Sequence, residues 1–189
     1  MNLKKTLWVF FAIFFLTSSA FAAEVGGINM PNTLKAGGTD LVLNGAGIRT
    51  KFFLKVYVTG LYLKQKNNDA RNILNADEPM AVRLHITSGL VDSEKMESAV
   101  REGFEKSTNG NIAPIKNKIE GFINIFRSKI NKNDVYEFFY LPDKGLEVYK
   151  NGVLSAVIKG LEFKKDLFGI WLGDKPAQAD LKEIMLGNK

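Results

Sequence analysis

The chain has 189 residues, with 26 lysines and arginines against 20 aspartates and glutamates, one histidine and no cysteine. The lack of cysteine excludes a disulfide framework, cysteine metal sites and thiol nucleophiles, and a single histidine excludes a multi-histidine metal site. The net charge of +6 comes from basic residues interleaved with acidic ones, a pattern that speaks for solubility and gives no sign of a nucleic-acid partner.

The amino terminus has the three parts of a secretory signal. Lys4 and Lys5 form a positive n-region, Leu7 to Leu16 (LWVFFAIFFL) is an unbroken apolar run, and Ala20-Phe21-Ala22 supplies the small-x-small cleavage pattern. Ten apolar residues rise about 15 Å as a helix against a hydrocarbon core of about 30 Å, so the run is too short to span a bilayer comfortably. Residues 1–22 are therefore expected to be cleaved, leaving no stable membrane span and an exported chain, periplasmic or secreted, of 167 of the 189 residues. That length suits one domain, residues 23–189, with a core large enough to hold it by burial alone. Loss of Lys4 and Lys5 lowers the net charge from +6 to +4.

Two strands are expected first, Asp40–Asn44 and Thr50–Lys64, both rich in β-branched and aromatic residues and bordered by glycine. In the longer one, Phe53, Tyr57, Thr59, Leu61 and Leu63 share one face and Phe52, Leu54, Val56, Val58 and Tyr62 the other, so it should be covered on both sides. A short helix follows over Asp69–Ala76, then a strand over Met80–Thr87. Asp92, Ser93 and Glu94 begin a helix that runs to about Lys106 with Met96, Val100 and Phe104 on one stripe.

Pro114 suits the first turn of the next helix, in which Ile115, Ile119, Phe122, Ile123, Phe126 and Ile130 recur at helical spacing. Lys116, Lys118, Arg127 and Lys129 lie opposite, and a solvated face above a core stripe accounts for them without a membrane. Strands are expected at Asp134–Leu141, Leu146–Lys150 and Val153–Lys159, the last two joined by Asn151-Gly152, which suits a type I′ turn. Helices over Leu161–Leu172 and Ala177–Leu186 close the chain. This order gives an α+β domain, a mainly antiparallel sheet with helices packed on it.

Generic catalytic motifs are sparse. Gly45-Ala46-Gly47-Ile48-Arg49-Thr50 begins like a dinucleotide fingerprint but has Thr50 at the third glycine position, and no phosphate-binding lysine motif occurs. No cofactor and no metal is implied. His85 lies in an alternating strand without an evident carboxylate partner and reads as structural.

The segment Gly45 to Leu63, GAGIRTKFFLKVYVTGLYL, resembles the chalcone isomerase superfamily, especially its bacterial exported chalcone isomerase-like branch. The resemblance continues through Val82-Arg83-Leu84-His85, Asn151-Gly152, the stretch from Ile170 to Pro176 and Ala179-Asp180-Leu181-Lys182, which is nearly all of the mature chain. It implies an open-faced β-sandwich with a layer of helices. It also implies one of two uses of the arginine at Arg49: stabilising a phenolate during ring closure of a chalcone, or holding the carboxylate of a fatty acid together with a tyrosine. Either use needs a guanidinium in a partly apolar cleft, where charge-assisted bonds to an oxyanion are strong and directional.

The position that is threonine in the plant isomerases aligns with Tyr57, which favours the fatty-acid-binding version. The isomerases' tyrosine and asparagine on the helix corresponding to Ser93–Lys106 have no counterpart here, where the alternatives are Asp92 or Ser93 and Ser98 or Ala99. The expected function is thus binding of a small amphipathic ligand such as a fatty acid by Arg49 and Tyr57; the alternatives are an intramolecular-lyase isomerase acting on a chalcone-like enone and an envelope scaffold with a vestigial cleft. Plain structural roles also remain open, Arg49 as a solvated strand-edge residue and Tyr57 as a packed residue of the sheet. On one continuous strand eight residues would set Arg49 and Tyr57 about 27 Å apart, so their convergence requires a bend or reversal near Thr50–Phe53.

The export signal makes a direct prediction: intact-mass analysis of the protein recovered outside the cytoplasm should give a chain beginning at Ala23. A membrane-embedded product that retains Met1–Ala22 would refute it.

Overall fold

The computed structural model describes residues 23–189, and the expected export segment Met1–Ala22 lies outside the described residues. Nine strands are present among them: β1 (Ala23–Val25), β2 (Ile28–Met30), β3 (Thr33–Ala36), β4 (Thr39–Lys51), β5 (Leu54–Leu63), β6 (Met80–Ile86), β7 (Val135–Leu141), β8 (Gly145–Lys150) and β9 (Val153–Ile158). The helices are α1 (Ala70–Asn75), α2 (Ser93–Ser107), α3 (Lys116–Ile123), α4 (Leu161–Leu172) and α5 (Ala179–Met185). Strands β3 to β9 form one antiparallel sheet in chain order, and β1 pairs with β2 in a separate ribbon. The architecture is the expected α+β, open-faced β-sandwich: a curled antiparallel sheet with a layer of helices.

One face of the sheet and the helices enclose the larger core, in which Phe104, Phe122, Phe126, Phe138, Phe163 and Trp171 pack together. The opposite face carries a smaller cluster, Val58, Tyr62, Ala81, Phe139 and Leu141, which takes in Met30 of β2. Strand β5 is accordingly buried on both sides, with Tyr57, Leu61 and Leu63 in the first cluster and Val58 and Tyr62 in the second. Among the described residues no helix is long and apolar enough to cross a membrane.

The strand expected as Thr50–Lys64 does not exist as one element. The chain reverses at Phe52 and Phe53, whose φ angles of 48° and 65° make a two-residue hairpin between Lys51 and Leu54. Residues up to Lys51 belong instead to β4, which also absorbs Asp40–Asn44 and the glycine-rich stretch after it. Two adjacent phenylalanines read as strand because aromatic residues favour the pleated surface, and their usual steric aversion to positive φ is overruled here. The second hairpin follows the ordinary rule, with Asn151 at φ 51° and Gly152 at φ 78°.

Strands β1 to β3 were not expected, being short and without clear alternation. The helix expected from Pro114 onward is shorter than its apolar spacing suggests: a 3₁₀ turn at Ala113–Ile115 leads into α3, and a second at Asn124–Phe126 ends it. Its stripe is nonetheless buried, from Ile115 to Ile130, while Lys116, Lys118, Arg127 and Lys129 are exposed. The last helix starts two residues later than expected, at Ala179.

Lys164 of α4 is fully buried, and its ammonium donates to the carbonyls of Ile73 (3.2 Å), Leu74 (2.8 Å) and Ala76 (2.7 Å). These carbonyls close α1, so a cation satisfies the orphan acceptors at a helix carboxyl end and ties α1 to α4.

The first hairpin gives a stability prediction. A left-handed conformation costs a residue with a side chain about 1–2 kcal/mol, and Phe52 and Phe53 are exposed, so replacing them loses little packing. The pair Phe52→Asn with Phe53→Gly should raise the urea unfolding midpoint of the mature protein by the equivalent of about 1 kcal/mol or more. An unchanged or lowered midpoint would show that the two rings stabilise the turn.

Candidate functional site

The reversal at Phe52-Phe53, together with a one-residue shift in the pairing between Thr50 and Arg49, places Arg49 opposite Tyr57 in the β4–β5 register. Cross-strand partners share a face, with Cβ atoms about 4.5–5.5 Å apart, so the separation of about 27 Å on a continuous strand does not arise. The face they share is the one the helices cover, since Tyr57 belongs to the larger core.

Both residues line a cleft of about 610 Å³ between the β4–β5 hairpin and α2, within the range of about 300–1,000 Å³ usual for small-molecule sites. Its walls include Leu54, Val56, Val91, Met96 and Ile170, and its rim carries Lys51, Lys95 and Lys106 beside Glu94 and Glu102. Glu102 is engaged there by Lys106 at 2.6 Å and Lys51 at 3.6 Å.

Arg49 is half-buried, and among the described residues its guanidinium contacts are to neutral acceptors, with no carboxylate at ion-pair distance. Its Nη1 donates to the carbonyl of Thr50 and to Oε1 of Gln178 (3.1 Å). The same Oε1 accepts from the amide of Thr50 at 2.8 Å, and Nε2 of Gln178 donates to the carbonyl of Ile48 at 3.4 Å. Gln178 is thus a brace across the end of β4: it orients the guanidinium through neutral acceptors and leaves its positive charge unmatched.

Tyr57 is buried, and its phenol oxygen accepts a hydrogen bond from Nε1 of Trp171 on α4 at 3.1 Å. Burial pushes the phenol above its ordinary pKa, an effect that the Trp171 hydrogen bond and then the nearby Arg49 charge partly offset. The hydroxyl therefore stays protonated at neutral pH. Because the indole N–H only donates, the phenol oxygen is the acceptor in this pair and its own hydrogen is free to point at an anion.

Gly45 and Gly47 explain how Gln178 reaches this position. A Cβ on Gly45 would lie 2.0 Å from the carbonyl oxygen of Ile184, and one on Gly47 would lie 2.7 Å from a methyl of Leu181. Helix α5 therefore rests on the bare backbone of β4, and Gln178, the residue before α5, is delivered to Arg49. Asn44 fixes the far end of this contact: its Nδ2 donates to the carbonyls of Met185 (2.8 Å) and Asn67 (2.9 Å), and its Oδ1 accepts from the amide of Asn67.

Sequence reasoning singled out Arg49 and Tyr57 and missed Gln178, Trp171 and Asn44. Trp171 and Gln178 lie 114 and 129 residues from the groups they hold, so local spacing carries no trace of either contact. On α2, Ser98 and Ala99 line the cleft, whereas Asp92 caps the helix by accepting from the Lys95 amide and the Ser93 hydroxyl donates to the carbonyl of Ser128. His85 lies in β6 away from the cleft, 3.5 Å from Oδ1 of Asn133. Among the described residues no group of three or more histidine and acidic side chains is placed to hold a metal.

A family model described as chalcone isomerase-like matches residues 22–187, and the chain belongs to that family. A comparison with curated proteins gives no match. Among solved structures, the chain is similar to a fatty-acid binding protein of Arabidopsis thaliana at 18% identity and a TM-score of 0.66. The alignment covers 86% of this chain and 93% of that one. At this identity the likeness is one of fold.

The seating of α5 can be tested by adding one methyl group. Gly45→Ala forces a carbon against backbone and should destabilise the mature protein by about 1–3 kcal/mol in urea unfolding. Gly121→Ala, where a Cβ meets nothing within 4 Å on α3, should leave stability unchanged or slightly raised. Equal effects at the two sites would mean that α5 does not depend on the bare strand.

Proposed function

We propose that this protein, exported after loss of Met1–Ala22, binds a small amphipathic carboxylate of the fatty-acid class in the cleft, with Arg49 and Tyr57 holding the carboxylate and the apolar walls holding the chain. The observation that carries this reading is the unmatched charge of Arg49, braced by Gln178 beside a buried tyrosine that keeps its proton. A guanidinium presents its donors in a planar fork that fits a carboxylate, and the Tyr57 hydroxyl adds a neutral donor from the facing strand. Val56, Met96 and Ile170 suit a flexible acyl chain. The similarity to a fatty-acid binding protein of the same fold agrees with this assignment.

The isomerase alternative asks more of α2. Ser98 and Ala99, which face the cleft, supply one short hydroxyl and one methyl group where ring closure needs donors that position and polarise a ketone. The cleft is therefore read as a binding site without catalysis.

Extraction and mass spectrometry of protein purified from its exported fraction should yield acyl carboxylates, and chalcone cyclisation should not exceed the spontaneous rate by much. Arg49→Ala should weaken fatty-acid affinity about ten- to a hundredfold, the equivalent of one charge-assisted bond, with little change in unfolding midpoint. Arg49→Lys should recover only part of that loss, because an ammonium lacks the fork. Unchanged affinity in folded Arg49→Ala removes Arg49 from the site. Stereoselective chalcone turnover of about 1 per second or faster, abolished by the same substitution, would establish the isomerase instead.

A further inference from the structure

We propose that the β4–β5 hairpin tip is a membrane-docking element that seats the mouth of the cleft on a phospholipid surface carrying anionic headgroups. Lys51, Phe52, Phe53, Leu54 and Lys55 are five consecutive exposed residues, an apolar triplet between two lysines. Phe53 is 101% exposed, Phe52 83% and Leu54 49%, and across the mouth Leu90 is 60% exposed. Large apolar side chains grouped in this way at one end of a domain mark an interaction surface.

The occupant follows from three features of this tip. The turn holds two phenylalanines in a left-handed conformation, although Asn151-Gly152 shows that this fold accepts an unstrained pair at an equivalent turn. Folding alone gives no reason for the rings. The flanking lysines match the arrangement in which aromatic residues enter the boundary of acyl chains and headgroups while ammonium groups stay among the phosphates. Lys51 reaches back over the Phe52 ring at 5.9 Å, so the cation and the ring occupy one spot on the surface.

Phe52, Leu54 and Leu90 also line the cleft, so the apolar tip and the apolar binding site are continuous. A ligand with an acyl chain can then pass between bilayer and cleft without exposing that chain to water. This use rests on the fatty-acid reading above; the docking itself is measured separately. The basic face of α3 does not compete for the role, because its apolar stripe is buried in the core.

The test is flotation of the mature protein with vesicles of phosphatidylcholine alone and of phosphatidylcholine with phosphatidylglycerol, next to fatty-acid affinity measured without vesicles. Phe53→Gly is the informative variant, since Phe53 lies outside the cleft lining and glycine suits its φ of 65°. Wild-type protein should float with the anionic vesicles, and Phe53→Gly should bind them about tenfold or more weakly while its fatty-acid affinity is unchanged. Replacing Lys51 and Lys55 by glutamine should reduce the preference for anionic lipid.

Absence of wild-type binding to either vesicle, or equal binding by Phe53→Gly, overturns the proposal. So does self-association of the wild type that Phe53→Gly abolishes while neither protein floats, which would assign the tip to a second copy of the chain. If Phe53→Gly loses vesicle binding and neither protein binds fatty acid in solution, docking stands and the fatty-acid reading falls.

Discussion

The register of the β4–β5 hairpin is the constraint on which the site depends. Lys51 pairs with Leu54 and Thr50 with Lys55, and a one-residue shift in the pairing between Thr50 and Arg49 then brings Arg49 opposite Tyr57 in place of Val56. A slip of one residue would turn the arginine to the opposite face, away from the helices and from Trp171. The local turn contributes little to fixing this pairing, since neither phenylalanine favours positive φ. Tertiary packing fixes it instead: β5 is buried on both faces, and α5 lies so close to Gly45 and Gly47 that β4 cannot shift without lifting a helix. Irregularities in the pairing at Leu43/Gly45 and Arg49/Thr50 bracket the glycine stretch and adjust the strand to the helix above it.

What the sequence made legible follows from this division between local and tertiary causes. Periodicity located β6 to β9, α1, α2 and α4 nearly to the residue, because each alternates or repeats over several positions and most have capping or turn residues that act on neighbours. The Asp92 cap and the Asn151-Gly152 turn are contacts of short range, which a linear reading captures. The Phe52-Phe53 reversal escaped because its residues favour strand and only packing elsewhere forces the turn. Nor does local spacing show that Lys164 is buried, since the α1 carbonyls it reaches lie 88 to 91 residues away in sequence. The glycines of the segment that carries the family resemblance are informative in sequence, yet their role as a seat for α5 emerges only in three dimensions.

At the candidate site the resemblance pointed to Arg49 and Tyr57, and what supports them was illegible in the sequence. Arg49 and Tyr57 lie in the segment Gly45 to Leu63 that carries the family resemblance, and it was that resemblance, not their spacing, that paired them. Gln178 and Trp171 are ordinary residues whose importance is positional. They hold the guanidinium and the phenol with neutral hydrogen-bonding groups, and this neutrality matters electrostatically. A glutamate at the place of Gln178 would cancel the arginine's charge within the protein and compete with any anionic ligand. An amide fixes the same geometry and keeps the field pointing into the cleft.

The two tight hairpins differ in how well their residues suit the turn. Asn151-Gly152 and Phe52-Phe53 occupy the same class of turn, but only the first pair is suited to it. The second gives up about 1–2 kcal/mol per residue of backbone energy and exposes two aromatic rings to water, costs that the folded domain does not recover through its own contacts. A cost borne in the isolated protein is offset only where the rings meet something apolar outside it. The tip stands at the open end of the cleft whose walls continue its surface, so the same residues that make the turn unfavourable in water make it favourable at a lipid boundary. The strained turn, the exposed triplet and the site behind it then form one functional unit, held in place by the burial of β5 and the seating of α5.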